Sequence, residues 1–238
     1  YYDKINLFSF DPATQRNDIP KNITNTQIVT TNTNRFGIYA QDLISFTEKI
    51  KLLAGIRWSW QESQADTNDL AKNTITEGAK RLDNAFSPKL GLVYQPTKDM
   101  SVFASYSNSF TPNTGTTVDL QPIKPSIIDQ YEAGIKKDFW KGILSTNITV
   151  YQITNSNLAQ TAEFKADGTT PNTDTTIKTL SGETKSKGVE IDITARPIEG
   201  LNIIAGYSYN DMRYSKTTGA NGSFIEGDRL VRTPANTA

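Results

Sequence analysis

The sequence predicts an all-β protein: a fragment of an antiparallel transmembrane β-barrel. Three observations support this fold class. Apolar and polar residues alternate along most apolar stretches, as in strands with one wet face. The hydrophobic content is only 36% although aromatic residues reach 10%, which is more aromatic than disordered chains usually are. Short and long polar connections alternate between the predicted strands, as they do on the two rims of an outer-membrane barrel.

The alternation predicts eight strands of about ten residues, the length that a tilted strand needs to cross a bilayer. In the clearest one, residues 50–61 (IKLLAGIRWSWQ), every second residue is apolar. Two strands are less regular, because Asp42 and Thr146 fall on their apolar faces; a place near the membrane edge would lower the cost of Asp42. The strands are predicted near residues 36–46, 50–61, 89–94, 101–106, 131–136, 142–153, 189–196 and 201–210.

The connections predict which rim faces which compartment. Short ones near residues 47–49, 96–99, 138–141 and 197–200 are expected as periplasmic turns, and long ones near 62–84, 110–128, 154–185 and 212–232 as extracellular loops. The long connections are rich in Thr, Asn, Ser, Gly and Asp, so they are expected to be solvated and mobile. The predicted organisation is an extracellular loop at 1–34, four strand hairpins at 35–211, and a loop with the start of another strand at 212–238.

Aromatic residues are predicted to form a girdle at the membrane interface. Trp58, Trp60, Tyr207 and Tyr209 fall at the loop-side ends of the predicted apolar faces, and Tyr94 falls near the turn side. Indole and phenol rings favour an interface because one end is apolar and the other is polar. Ordinary core aromatics are the alternative, but the clustering at strand ends favours the girdle.

The opposite face of the predicted strands is polar and is expected to line the lumen. The charged residues expected there, as contacts for a plug that fills the barrel, are Arg57, Lys89, Glu132, Lys136, Glu190 and Asp192. Glu190 and Asp192 share a face at strand spacing and are open to a second interpretation as an acid–base pair. Gly134 and Gly206 lie inside strands on the same face, where a glycine permits close approach of another backbone.

Composition excludes several functional classes. The chain has no cysteine and no histidine, which removes disulfides, zinc–thiolate sites and the Ser–His and Cys–His catalytic routes. Its 25 basic and 25 acidic residues give zero net charge and no basic patch for nucleic acid. No apolar run is long enough for a membrane-spanning helix. We therefore expect no enzyme, no cofactor and no nucleic-acid partner.

Acidic loop residues offer only weak alternatives. Asp167 and Asp174 faintly suggest calcium binding, but the spacing of a calcium loop is missing and no metal is expected. Asp66, Asp69 and Asp83 are expected to be solvated loop charges. Pro122 and Pro125 predict a stiff loop that descends onto the next strand.

Three stretches resemble TonB-dependent siderophore receptors of the ferrichrome-receptor type. They are residues 86–96 (FSPKLGLVYQP) with 102–112 (VFASYSNSFTP), residues 120–122 (LQP) to 131–136 (YEAGIK), and residues 186–192 (SKGVEID) with 201–209 (LNIIAGYSY). Residues 36–42 (FGIYAQD) fit the same family. The matches keep the family's order over most of 35–238, so together they are specific.

The resemblance implies a 22-stranded barrel with a plugged lumen, in the outer membrane of a Gram-negative bacterium. It implies binding of ferric siderophores at the outer face and import with energy delivered by TonB. The sequence has neither the plug nor the TonB box, and both of its ends look cut, so a barrel fragment in contact with outer-membrane lipid is expected. No ligand-binding residue carries over, and another TonB-dependent cargo, such as cobalamin or a glycan, stays open.

Three rivals remain from the residues alone. Eight strands would also suit a small complete outer-membrane barrel with a structural or adhesion role. An outer-membrane hydrolase is disfavoured by the missing histidine. A soluble β-sandwich is disfavoured by the long connections.

Overall fold

The structure, a computed structural model, describes residues 26–218 and 225–238. Nearly all of this part of the chain is antiparallel β-structure in one sheet, in which sequence neighbours pair with each other. The strands are β1 (Gln27–Ser45), β2 (Ile50–Asp69), β3 (Thr74–Thr76), β4 (Arg81–Thr97), β5 (Met100–Thr111), β6 (Ser126–Phe139), β7 (Leu144–Thr161), β8 (Lys178–Ala195), β9 (Ile203–Lys216) and β10 (Asn236–Thr237). The eight long strands confirm the all-β prediction.

The chain divides into two compact units. The smaller comprises residues 1–32 and 64–80. In its described part β3 pairs with the end of β2 through Thr67–Thr76 and Asp69–Thr74, and the Leu70 amide donates to the Thr26 carbonyl at 3.0 Å. The larger unit comprises residues 33–63 and 81–238, and it holds every site discussed below.

The strands are longer than the sequence predicted. They reach 12 residues in β5 and 20 in β2, instead of about ten. The expected loop over residues 1–34 is therefore wrong for 27–34, which belong to β1, while residues 1–25 lie outside the described residues. Strands likewise cover the outer residues of the loops that were expected at 62–84, 154–185 and 212–232. Backbone pairing needs no apolar side chain, so polar and Thr-rich flanks extend the ladders without an alternation signal.

The alternation of short and long connections is confirmed. Short turns join β1 to β2, β4 to β5, β6 to β7 and β8 to β9, and the β6–β7 turn contains a 3-10 segment at Trp140–Gly142. In the first turn the Thr47 hydroxyl accepts the amides of Lys49 and Ile50, at 3.1 and 3.0 Å. The long connections in the larger unit are residues 112–125, 162–177 and 217–235.

One face of the sheet is continuously apolar. Directly paired residues on antiparallel strands point to the same side, so each row of pairs can be followed across the sheet. One such row, from β2 to β9, is apolar throughout: Leu52, Leu92, Ala104, Ala133, Val150, Val189 and Tyr209. Many of these side chains are exposed, including Leu92, Val150 and Tyr209. Such a face needs an apolar environment outside the chain.

The apolar band crosses these rows obliquely. The next row towards the loops begins with Ala54, Leu90, Tyr106 and Tyr131 and continues with Gln152, Lys187 and Asp211. In a row nearer to the turns, the polar residues come first and the apolar residues last. Lys137 pairs with Thr146 there, and the row continues with Ile193 and Ala205. A band of constant height crosses the rows in this way when the strands are tilted, as they are in membrane barrels.

Two of the rival folds do not fit. A β-sandwich needs two packed sheets, whereas the described residues form one. A small closed barrel needs its first and last strands to pair. In the described residues β1 and β10 lie at opposite ends of the strand order, and β10 pairs with β9 through Asn236–Tyr209.

Candidate functional site

The polar face carries all six residues that the sequence predicts to face a lumen. The register places them on the side opposite to the apolar rows, because each pairs with a residue of that polar side. The pairs are Arg57–Ser87, Gly55–Lys89, Ser105–Glu132, Ser101–Lys136, Thr149–Glu190 and Asn147–Asp192. Contact of these side chains with a plug stays a prediction.

These six charges are not neutralised within the sheet. None of them forms an ion pair with another residue in 26–218 or 225–238. Their partners are neutral: Glu132 accepts the Gln130 amide at 2.5 Å, and Asp192 accepts the Asn147 amide at 3.1 Å. Lys136 lies over the Phe103 ring, with its ammonium 5.5 Å from the ring centroid. These charged side chains of the polar face can therefore form ion pairs with a second polypeptide segment.

Gly134 is not open to another backbone. The ring of Phe103, on the paired strand, lies over it, and a Cβ on Gly134 would come within 2.7 Å of the ring and 2.6 Å of the Ile148 carbonyl. The expected close approach of another backbone to Gly134 is therefore wrong, because a side chain of the sheet already occupies the space. Gly206 is more open, since the nearest atom to its Cβ position is an Asp192 oxygen at 3.6 Å.

The predicted girdle residues share the apolar face, but the four predicted on the loop side do not lie at strand ends. β2 continues past Trp58 and Trp60, and β9 continues past Tyr207 and Tyr209, because both strands are longer than expected. The rings lie instead near the end of the apolar stretch: on the same face Trp60 is followed by Glu62 and Tyr209 by Asp211. Tyr94 pairs with Ile50 near the turn side. Their membrane-interface role stays a prediction.

The sequence missed a folded loop on the polar face. Residues 112–125, which connect β5 to β6, form what we call the ledge. The most buried side chain of the described residues belongs to it: Ile123 is 1% exposed. Beside it, Asp83 and Arg81 form a salt bridge at 2.8 Å, and Arg81 also donates to the Ile123 carbonyl at 2.7 Å. Asp83 is 4% exposed, so the expectation of a solvated loop charge is wrong.

A second anchor holds both ends of the ledge. The Asn113 amide nitrogen donates to the carbonyls of Lys124 and Asn157, each at 2.9 Å. The Ser126 hydroxyl, in a residue only 2% exposed, lies 3.0 Å from the Asn113 side-chain oxygen and 3.1 Å from the Asn157 carbonyl. Asn157 offers its carbonyl at an irregularity of β7, where its φ is +57°. The ledge is therefore tied to β6 and β7 as well as to β4.

A third anchor joins the ledge to the start of β8. The Thr116 amide donates to the Thr176 carbonyl at 3.1 Å, and the Lys178 amide donates to the Thr116 carbonyl at 2.7 Å. Gly115 permits this approach: its φ is +104°, and a Cβ there would lie 2.6 Å from the Thr176 carbonyl oxygen. The sequence signals for the ledge were Pro122 and Pro125, which predict a stiff loop, and Ile123, the apolar residue between them.

The β7–β8 loop, residues 162–177, uses its acidic residues as turn caps. Asp167 accepts the amides of Thr169 and Thr170, at 2.9 and 2.8 Å, and the Thr170 hydroxyl. The Thr170 hydroxyl, followed by the Thr169 and Thr170 amides, lowers the pKa of Asp167 from 3.8 to about 2. Asp174 accepts the Thr176 hydroxyl at 2.7 Å, which lowers its pKa as well. The described residues contain no metal-binding group of acidic side chains.

Within residues 26–218 and 225–238, no helix is long and apolar enough to cross a membrane.

The chain was compared with known proteins. The ferrichrome outer membrane transporter/phage receptor of Escherichia coli is 28% identical over 93% of this chain and 27% of its own length. The metal-pseudopaline receptor CntO of Pseudomonas aeruginosa is 28% identical over 82% of the chain and 26% of its own length. The chain therefore spans about a quarter of the length of these curated relatives.

Solved structures support the same fold. The siderophore receptor PiuA from Acinetobacter baumannii superposes with a TM-score of 0.72 at 20% identity, over 87% of this chain and 30% of that one. BauA, the ferric preacinetobactin receptor of the same organism, gives a TM-score of 0.65 at 25% identity, over 87% and 29%. The family model described as TonB dependent receptor-like, beta-barrel, matches residues 1–238. The chain belongs to this family of Gram-negative outer-membrane barrels, as the resemblance of its motifs implied.

Proposed function

We propose that the protein containing this chain is an outer-membrane receptor that imports ferric siderophores with energy delivered by TonB. One observation carries the proposal: the family model covers the whole chain, and relatives along it are named for siderophore cargo. Besides the ferrichrome transporter, these include a ferric-pyoverdine receptor of Pseudomonas putida and a ferrioxamine receptor of Yersinia enterocolitica. The relatives are named as receptors and transporters, and we propose transport without catalysis.

In this proposal the two faces of the sheet have separate tasks. The apolar face lies against lipid, with Trp58, Trp60, Tyr94, Tyr207 and Tyr209 near the membrane interfaces. The polar face lines the lumen, where its unpaired charges meet a plug segment. These charges belong to Arg57, Lys89, Glu132, Lys136, Glu190 and Asp192. The long connections then lie outside the cell.

A second cargo class is favoured by one comparison. The CntO relative is named for metal-pseudopaline, a metal chelate that the name does not restrict to iron. Uptake of such a chelate would use the same barrel and the same energy source. Only the metal and the organic shell of the chelate would differ.

The test is uptake by the complete receptor in a Gram-negative strain that lacks its own siderophore receptors. Cells are given ferrichrome, ferrioxamine or ferric pyoverdine loaded with radioactive iron, and in parallel pseudopaline loaded with radioactive nickel or zinc. We expect iron accumulation from at least one ferric siderophore, and its loss in a matched strain without TonB. Accumulation of nickel or zinc alone would favour the second cargo class. Accumulation of metal from none of these chelates would contradict both proposed cargo classes.

A further inference from the structure

The ledge has a protruding tip whose backbone is fixed. Residues 116–122 form a small hairpin, in which Thr116 pairs with Pro122 and the Thr117 amide donates to the Gln121 carbonyl at 2.7 Å. The Leu120 amide donates to the Thr117 carbonyl at 2.9 Å, which closes the turn at the tip. The hairpin therefore has a defined backbone, although sequence composition predicted a mobile loop.

The anchors hold this hairpin across the polar face. From the end of β5 the chain runs to the start of β8, where Thr116 bridges Ile177. It then returns to β4, where Ile123 lies beside Arg81 and Asp83, and enters β6 at Ser126. The ledge thus spans the sheet from β8 to β4 at the loop ends of the strands. In a barrel, that end of the polar face is the mouth of the lumen.

Leu120 at the tip combines exposure with a left-handed backbone, a combination shared by Trp140 in the β6–β7 turn. Leu120 is 71% exposed, and its φ is +59°, in the left-handed region that bulky residues rarely adopt. A bulky residue persists in this region only where its surroundings determine it, which is most common at binding and active sites. The hairpin and its anchors determine it here, and they present an apolar side chain to the solvent at the mouth.

We propose that the ledge is a preformed part of the ligand-entry site, and that Leu120 is its apolar contact with the organic shell of the imported chelate. Gly115, Asn113 and the Arg81–Asp83 pair are positioning residues that keep the tip in place before the ligand arrives. A preformed contact binds more tightly than one that must be ordered on binding, because the ordering cost is already met. This inference rests on the proposed function and assigns part of its binding site.

The test uses the complete receptor in cells that lack TonB, so that binding is measured without import. The probe is whichever of radioactive-iron ferrichrome, ferrioxamine or ferric pyoverdine the wild type binds most tightly. Leu120→Ser is expected to raise the Kd roughly tenfold, since the apolar surface that the ligand would cover is replaced by a hydroxyl. Leu120→Met, which nearly conserves volume, is expected to restore most of the affinity. The matched control is Ile198→Ser, an equally exposed apolar residue in the β8–β9 turn at the opposite rim.

Gly115→Ala tests the positioning. The new Cβ would press on the Thr176 carbonyl, so we expect a weaker affinity together with faster amide hydrogen exchange in 112–125. Gly168→Ala is the control for the left-handed backbone alone: its φ is +71°, and its Cβ would have no atom within 4 Å. In Leu120→Ser the exchange of the ledge should stay unchanged while the Kd rises, which a purely structural role of Leu120 would not produce.

The outcomes separate the two proposals. If the wild type binds none of the ferric siderophores, the proposed function fails, and the ligand role of the ledge fails with it. If the wild type binds one of them and both Leu120→Ser and Gly115→Ala bind equally well, only the ledge inference is overturned. Failure of Leu120→Met to restore affinity would overturn the apolar contact.

Discussion

The ledge and the β7–β8 loop are two polar, Thr-containing connections that are held in different ways. Both contain Thr, Asn, Asp and Gly, although the ledge has three prolines where the β7–β8 loop has one, and both connect long strands on the same rim. The ledge is fixed by groups outside it, on β4, β6 and β7, and by Thr176 and Lys178, where the β7–β8 loop ends and β8 begins. The tip of the β7–β8 loop is fixed by its own side chains, chiefly Asp167 and Asn172. Composition alone therefore does not say whether a loop is ordered by its neighbours or by itself.

The largest difference should appear when the buried ion pair is broken. Asp83→Ala removes the buried carboxylate and leaves the half-buried Arg81 with only the Ile123 carbonyl as a partner; breaking a fully buried pair costs about 3–5 kcal/mol, which is the upper bound here. We expect faster amide exchange throughout 112–125, measured by mass spectrometry on the complete receptor, with no change in 163–172. Asp99→Ala is the matched control, because it removes the Asp99–Lys137 pair, which is exposed and lies in a turn at the other rim. Unchanged exchange in the ledge would show that the pair does not anchor it.

A smaller effect is expected from the amide anchors. Asn113→Ala removes the donor to the Lys124 and Asn157 carbonyls, and leaving such groups unsatisfied costs about 1–3 kcal/mol. The ledge should open more often, and limited proteolysis of the complete receptor should cut within 112–125 sooner. Asn172→Ala is the counterpart in the β7–β8 loop, where cleavage should rise only within that loop. Equal cleavage of both loops in both variants would erase the distinction between them.

A change confined to one tip is expected from Asp167→Ala. The variant loses the side-chain acceptor for two amides and one hydroxyl in the turn 167–170. Amide exchange at Thr169 and Thr170 should rise a few-fold, because an exposed side-chain cap contributes modestly. Exchange in the ledge should stay as in the wild type. A rise in 112–125 would mean that the two loops are coupled more tightly than their hydrogen bonds indicate.

The smallest effect is a pH dependence of the same tip. The pKa of Asp167 is lowered to about 2 from 3.8, chiefly by the Thr170 hydroxyl, so the folded turn favours the ionised form. Its capping contribution is fully present above 3.8 and is lost as the pH falls through about 2. A spin label at position 165, in Lys165→Cys, should become more mobile in that range. A transition centred near 3.8 would contradict the capping role.

The sequence predicted the strands and their faces because apolar and polar residues alternate along most of the strands. The row from Leu52 to Tyr209 needed only this period and correct pairing. Strand ends were missed because polar flanks such as residues 62–69 and 154–161 pair without a regular apolar alternation. The space above Gly134 was wrongly expected to be open, because the Phe103 ring that fills it lies on another strand. No local sequence pattern indicates this contact.

The folded structure of the ledge could not be predicted from the sequence for a related reason. Its central interaction joins Arg81 to Ile123 across 42 residues of sequence, and neither residue has a local pattern that points to the other. Asp83 looked like any other loop carboxylate, although its burial decides its role. The two prolines beside Ile123 indicated a stiff loop but not the strand that receives it.

The oblique apolar band has a consequence for how the strands find their partners. A slip of one residue turns every side chain to the wrong face, so alternation alone prevents it. A slip of two residues preserves the alternation and moves a strand about 7 Å along its axis. Such an error would carry Lys187 or Asp211 into the apolar layer, which is about 25 Å thick. The bilayer thus disfavours strand registers that are shifted by two residues, which the alternation of apolar and polar residues alone does not exclude.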